Sequence, residues 1–441
     1  MHRLLMTALI GLALAFSPAA AMSVKAIKAP KGSVVWLAED HTVPVIAMTA
    51  SLPAGSAYDP STKAGLAAMA AALLEEGAGS LDGDAFHNAL DERAVELTAT
   101  PDRDRLVISL KVLSPDAREV FRMLGLALSR PRFDYDAITR VRLSMMQDLD
   151  REHEDPSAVA WNSFFALYFG AHPYGHPVEG AKPALASISR EDLRGFVASH
   201  WVAGDIKIAI AGDVDEKTAA ALARSAFGAL PLRPVPAVAL PRFVGAAGQH
   251  VMAMQVSQSD TIFALPGFTR RDPDFLAGLI ANTILGGAEE SRLSRALREN
   301  RGLTYDVSTD LMTFARAGLV LGEVQTKPEK VRATLAIVRQ SLRQFAMTGP
   351  TTQEFADAKS YVRGSFPLAF ASNEDIATTL AGFMADGLPV DYVERHGALI
   401  DAVSFEDVKR AARRLYASDK LTVVVAGSAP AQKRSSNPFR E

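Results

Sequence analysis

The feature that most constrains this chain is an internal repeat. Ser189-Arg-Glu-Asp-Leu opens a helical stretch that leads to Trp201 and then to Ile206-Lys-Ile-Ala-Ile-Ala-Gly212. Ser404-Phe-Glu-Asp-Val opens another, leading to Tyr416 and Leu421-Thr-Val-Val-Val-Ala-Gly427, every landmark displaced by 215 positions. Asp59-Pro60, Ala64-Gly65-Leu66, Leu106-Val-Ile-Ser-Leu and Pro115 recur as Asp272-Pro273, Ala277-Gly278-Leu279, Leu319-Val-Leu-Gly-Glu and Pro328, all at 213. A period this long is not a solenoid repeat, which runs about 20–50 residues. It is a duplication of a whole domain. Each copy ends as a helix with a Ser N-cap and acids in its first turn, followed by a β-branched strand that stops at Gly.

Between the copies lies Pro231-Leu-Arg-Pro234-Val-Pro236-Ala-Val-Ala-Leu-Pro241, whose four prolines in eleven residues exclude a helix or a central strand. The expected organisation is a first domain over 22–230, a Pro-rich linker over 231–241, a second domain over 242–431 and a polar tail over 432–441. Strands are expected at Ser33–Leu37, Val45–Leu52 and Leu106–Val112, and helices at Gly65–Leu74, Asp116–Leu128, Tyr135–Glu152 and Ala158–Phe169. Strands and helices do not alternate as βαβ units. The fold class expected is α+β, two homologous domains, each an antiparallel-rich sheet with helices packed on one face.

The chain opens with His2 and Arg3, a 13-residue apolar run from Leu4 to Phe16, then Ser17-Pro18 and Ala19-Ala20-Ala21. This is the layout of a secretory signal over 1–21, too short to span a bilayer, which takes about 20 residues. A periplasmic location without a membrane anchor is expected. Cysteine is absent, which excludes disulfides, thiolate metal sites and cysteine nucleophiles. The 47 basic residues are balanced by 50 acidic ones, and no Lys/Arg cluster in the sequence suggests a nucleic-acid partner.

Several further landmarks carry a resemblance. They are Ala57-Tyr-Asp-Pro60, Gly65-Leu-Ala, His172-Pro-Tyr-Gly-His-Pro177 ahead of Gly180, Ile210-Ala-Gly-Asp213, Leu285-Gly-Gly287, Ser291-Arg-Leu293 and Leu297-Arg-Glu-Asn-Arg-Gly-Leu-Thr-Tyr305. With these, the chain resembles the pitrilysin/insulinase family of zinc peptidases, which includes the mitochondrial processing peptidase subunits, from about Val34 to Gly427. Active members carry His-x-x-Glu-His on the helix after Gly-Leu-Ala. Histidines at i and i+4 share one helical face and grip zinc, and the glutamate is the general base. Here Ala68, Ala71 and Ala72 occupy those places, and Asp148 falls where the third ligand is expected. Alanine offers no lone pair and moves no proton, yet it is the best helix former. The scaffold is kept and the chemistry is missing, so no zinc and no peptidase activity are expected of this chain alone.

Substitute sites are weak. His172 and His176 are separated by Pro173 and Gly175 and read as a structural turn. Glu75-Glu76 read as a solvated helix end, and His87, His153 and His200 are isolated in sequence. Gly286-Gly287 lacks the Lys-Ser/Thr of a phosphate loop. Ser291–Asn300 reads as a helix and Thr304–Ser308 as a strand. By spacing alone, Arg298 is part of a solvated arginine face and Tyr305 a core aromatic. The resemblance implies another role: such an Arg and Tyr reach into the active site of the other half of the enzyme and bind substrate there. It therefore implies a non-catalytic subunit of a heterodimeric exported zinc peptidase. The zinc and the intact His-x-x-Glu-His motif would lie in a partner chain, with peptides as substrates. The alternative is a structural or assembly module of the same fold without a peptidase role.

Overall fold

The computed structural model describes residues 23 to 235, 238 to 241 and 246 to 427. The expected signal segment over 1–21, the 432–441 tail and part of the Pro-rich linker lie outside the described residues. The first sheet has six strands, in the order Val24–Lys28, Val34–Glu39, Lys207–Gly212, Val45–Leu52, Leu106–Leu113 and Glu96–Pro101. The second has five, in the order Gly248–Met252, Thr422–Ala426, Ser259–Pro266, Gly318–Thr326 and Val307–Thr313. Apart from Val24–Lys28 the two orders correspond strand for strand. In each sheet one pair alone is parallel, Val34–Glu39 with Lys207–Gly212 and Gly248–Met252 with Thr422–Ala426. The repeat in the sequence is thus a repeat of topology.

The repeated landmarks have local reasons. Ser189 and Ser404 form capping boxes, their hydroxyls accepting from the amides of Asp192 and Asp407 while those carboxylates accept from the Ser amides. Trp201 and Tyr416, at the ends of these helices, are fully buried. Gly212 and Gly427 close the following strands with φ of 119° and 143°. A Cβ at either would run into the first residue of the neighbouring strand, the Val45 carbonyl or the Ser259 hydroxyl.

On one face of the first sheet, Leu37, Ile46, Met48, Ile208 and Ile210 pack against helices Leu66–Ala72, Ala117–Ser129, Arg190–His200 and Glu216–Phe227. The opposite face carries Trp36, Ala38, Ala47, Ala209 and Ala211, and helix Asn373–Ala385 of the second half lies on it through Ile376, Ala377, Leu380 and Ala381. The second sheet is covered reciprocally. Ile262, Ala264, Leu321 and Val424 receive Val159, Ala160, Phe164 and Tyr168 of helix Pro156–Phe169. Shifted by 215, that helix falls on residues 371 to 384, so the exchanged helices are themselves repeat equivalents. Each half is completed by the other.

The junction between the halves joins Tyr174 of the His172–Pro177 motif to Arg103, Asp104 and Phe314, which the sequence does not single out. The Asp104 carboxylate accepts from the Ala315 amide at 2.8 Å and from the Tyr174 hydroxyl. The Arg103 guanidinium lies 3.4 Å from the centroid of the Phe165 ring, and its Nε donates to the Tyr174 carbonyl at 3.0 Å. Phe314 packs 5.2 Å from the Tyr174 ring. Burial lowers the Arg103 guanidinium to about 10 and raises the Tyr174 phenol.

Candidate functional site

The Leu66–Ala72 helix starts at Gly65, whose φ of 97° no other residue adopts easily. A Cβ there would strike the Glu179 carbonyl, so the segment around Gly180 sits against the helix start. Asp59 holds the same end. Its two carboxylate oxygens accept from the amides of Gly65 and Ala67, each at 2.8 Å. Ala71 is buried at 3 % exposure, Ala68 is half-buried and Ala72 exposed. No side-chain donor stands at any of the three positions.

Asp148 does not supply one. It lies on the exposed side of helix Tyr135–Glu154, paired with Arg151, while its neighbour Leu149 takes the buried position in the core. Among the described residues no three His, Cys, Asp or Glu side chains are placed to hold a metal ion. The residues at this helix therefore do not fit zinc. His172 makes a turn: its Nδ1 accepts from the Tyr174 amide at 3.1 Å, which leaves Nε2–H to donate to the Ala239 carbonyl at 2.9 Å. Glu75 and Glu76 depart from the expected solvated helix end. Both are half-buried, burial pushes the Glu75 carboxyl up, and Glu76 is paired with Arg140, because the chain folds back into a small hairpin directly after them.

Two measurable consequences arise here. Changing Ala68, Ala71 and Ala72 to His, Glu and His should yield weak metal binding at best and a less stable chain. The carboxylate introduced by Ala71→Glu would be a buried charge without a partner, and Asp148 faces solvent. The check is a zinc competition titration against a chelator together with a thermal melt; tight, one-to-one zinc would contradict it. The second concerns Asp59. Burial pushes its carboxyl up to about 7 against the pull of the backbone amides of Ala67, Gly65 and Leu66. The folded state then holds this proton more tightly than the unfolded state, so the contribution is present in acid and is lost as pH rises through about 7. Relative to Asp59→Asn, the wild type should be more stable at pH 5 than at pH 8 in denaturant unfolding. A difference independent of pH would contradict this.

In the second half, the expected helix over Ser291–Asn300 is short α-helix, Arg292–Ser294, widening into a π-type turn over Arg295–Glu299. Its three arginines differ in kind. Arg292 makes a two-pronged pair with Glu354 at 2.7 and 2.6 Å and lies 4.5 Å from the Phe345 centroid. Against burial, which acts the other way, that guanidinium holds the Glu354 carboxyl down at about 2. Arg295 reaches Glu354 only at 3.7 Å. Arg298 has weak contacts alone, 3.5 Å to Glu289 and 3.9 Å to Glu299.

Tyr305 is not in a strand, which corrects the expected Thr304–Ser308; the strand begins at Val307. The Thr304 hydroxyl lies within reach of the carbonyls of Asp306 and Gln325, to either of which its one proton can be donated, and accepts from the Asp306 amide at 3.1 Å, which bends the chain before the ladder starts. Tyr305 projects from this bend at 88 % exposure and is not the buried aromatic that spacing suggests. Among the described residues, no hydrogen bond, ion pair or ring contact joins Arg298 or Tyr305 to the Leu66–Ala72 helix.

Residues 34–182 match the family model of insulinase, peptidase family M16, and residues 187–362 match that of the peptidase M16 inactive domain. The non-peptidase homolog YmxG of Helicobacter pylori is 24 % identical over 412 residues, spanning 92 % of this chain and 94 % of that protein. An uncharacterized zinc protease of Mycobacterium tuberculosis, Rv2782c, is 25 % identical over 82 % of this chain and 83 % of its own. The crystal structure of a peptidase M16 inactive domain from Pseudomonas fluorescens superposes with a TM-score of 0.87 at 29 % identity, covering 94 % of this chain and all of that one. A protease from Helicobacter pylori shares the fold, with a TM-score of 0.83 at 16 % identity over 92 % of this chain and 99 % of that one. The chain belongs to the M16 peptidase family. Within it, the chain is a member without the zinc-binding motif.

Proposed function

We propose that this chain is the non-catalytic subunit of an exported two-chain metallopeptidase. A second M16 chain with an intact His-x-x-Glu-His motif holds the zinc. This chain closes the chamber around the peptide and presents Arg298 and Tyr305 to the partner's site. The observation that carries the reading is the pairing of a motif helix empty of side-chain donors with an Arg and a Tyr that have no strong partner among the described residues. A tyrosine at 88 % exposure has given up the burial that normally rewards an aromatic ring. The chemistry available is limited and specific. A guanidinium can hold a substrate carbonyl, and a phenol can donate to the oxyanion that develops as the scissile carbonyl is attacked. The proposal extends to the periplasm, where the N-terminal segment would send the chain.

The test is affinity capture of the tagged full chain from a periplasmic extract. Recovery of an M16 chain with the intact motif in one-to-one ratio is the expected result. Recovery of a larger assembly without such a chain would favour the structural-module reading instead.

A further inference from the structure

Five arginines from separate parts of the first half converge on one open cleft of about 720 Å³. Arg122 comes from helix Ala117–Ser129, Arg130 and Arg132 from the connection after it, and Arg190 and Arg194 from helix Arg190–His200. Asp134 is the carboxylate that lines the cleft with them, and it serves two, Arg132 at 2.6 Å and Arg190 at 3.7 Å. Arg122 is held from outside the cleft by Glu119, and Asp82 and Asp136 act on Arg132 from further off. Arg130 and Arg194 are exposed and have no carboxylate partner among the described residues. The Nε of Arg190 is buried without a hydrogen-bond partner, although its Nη2 donates to the Arg132 carbonyl at 2.8 Å.

This accumulation needs an explanation. Like charges gathered in one concavity repel one another, and the chain as a whole is slightly acidic, with net charge −3. All five are arginine and none is lysine. A guanidinium presents a planar fork matched to two oxygens of a phosphate, whereas an ammonium is a point charge. The geometry points to a binding site for a phosphate-bearing ligand, an oxyanion of at least two negative charges held by Arg130, Arg194 and the better-anchored Arg132 and Arg190. The cleft is larger than a single phosphate needs, which suits a pyrophosphate or a phosphomonoester.

The site adjoins the helix that has lost the zinc motif. The hairpin that follows that helix forms one wall, with the Gly79 amide donating to the Arg130 carbonyl at 3.0 Å and the Arg132 amide to the Gly77 carbonyl at 3.2 Å. The cleft is built from the first half of this chain alone.

The experiment is calorimetric titration of the full chain with inorganic pyrophosphate, with Arg130→Ala/Arg194→Ala as the comparison. Both side chains are exposed, so the variant should melt as the wild type does. Saturable binding that weakens with added salt is expected, and loss of the two forks should weaken it by about tenfold or more. A second arm, sedimentation with phosphatidic acid vesicles against phosphatidylcholine vesicles, decides the source. Binding only to free pyrophosphate gives a soluble ligand, and binding to the acidic vesicles gives a lipid headgroup; both support the site. No saturable binding to either probe, or equal binding by the variant, overturns it.

Discussion

Tyr305→Phe should slow peptide cleavage by the assembled pair about 100-fold, equivalent to about 2.7 kcal/mol of transition-state stabilisation, the low end for loss of one oxyanion donor. The substitution removes a hydroxyl from a side chain at 88 % exposure, so stability and pairing should not change. Arg298→Ala should raise KM more than it lowers kcat, because a grip on the substrate backbone is made in the ground state and the transition state alike. Its own-chain contacts, at 3.5 Å and beyond to exposed glutamates, are too weak for their loss to matter for folding. Steady-state kinetics on the reconstituted pair reads both effects, with thermal melts as the folding control. Unchanged kinetics in both variants would move the weight to a structural role for the chain.

Leu380→Ala should cost about 2–5 kcal/mol of stability, the range for emptying a well-packed core site. The residue belongs to the second half by sequence, but it is fully buried against the first sheet, beside Trp36, Ala47 and Ala209. The loss should therefore appear in the first half. Hydrogen exchange should accelerate in strands Val45–Leu52 and Lys207–Gly212, on which the helix lies. Urea unfolding should remain one transition, because neither half keeps a covered sheet without the other. Loss of stability confined to the second half, with exchange in those strands unchanged, would contradict the exchanged-helix architecture.

Much of this was legible in the sequence because it is local. The repeated Ser-x-Glu-Asp caps and the strand-ending Gly212 and Gly427 depend on a few residues of chain, and the alanines at 68, 71 and 72 are placed by the resemblance. The strand Val45–Leu52 falls where the sequence places it, as a short and largely apolar run that is buried almost throughout. What sequence did not reveal depends on long separations. Helix Pro156–Phe169 is apolar nearly all round, which marks it as buried but does not say under which sheet. The contact from Asp104 to Ala315 spans 211 residues. The arginines of the cleft are spread from 122 to 194 and form no cluster along the chain. Tyr305 differs for another reason: one threonine hydroxyl competes with the ladder, and the strand starts three residues later than expected.

The proposed role, completing a peptidase site in another chain without a metal of its own, has a simple kinetic signature. The most direct measurement is the initial rate of cleavage of an unfolded peptide by this chain, by the zinc-bearing M16 partner, and by their equimolar mixture. No cleavage by this chain is expected, and the mixture should cleave far faster than the partner alone. Cleavage by this chain by itself, or a mixture no faster than the partner, would contradict it.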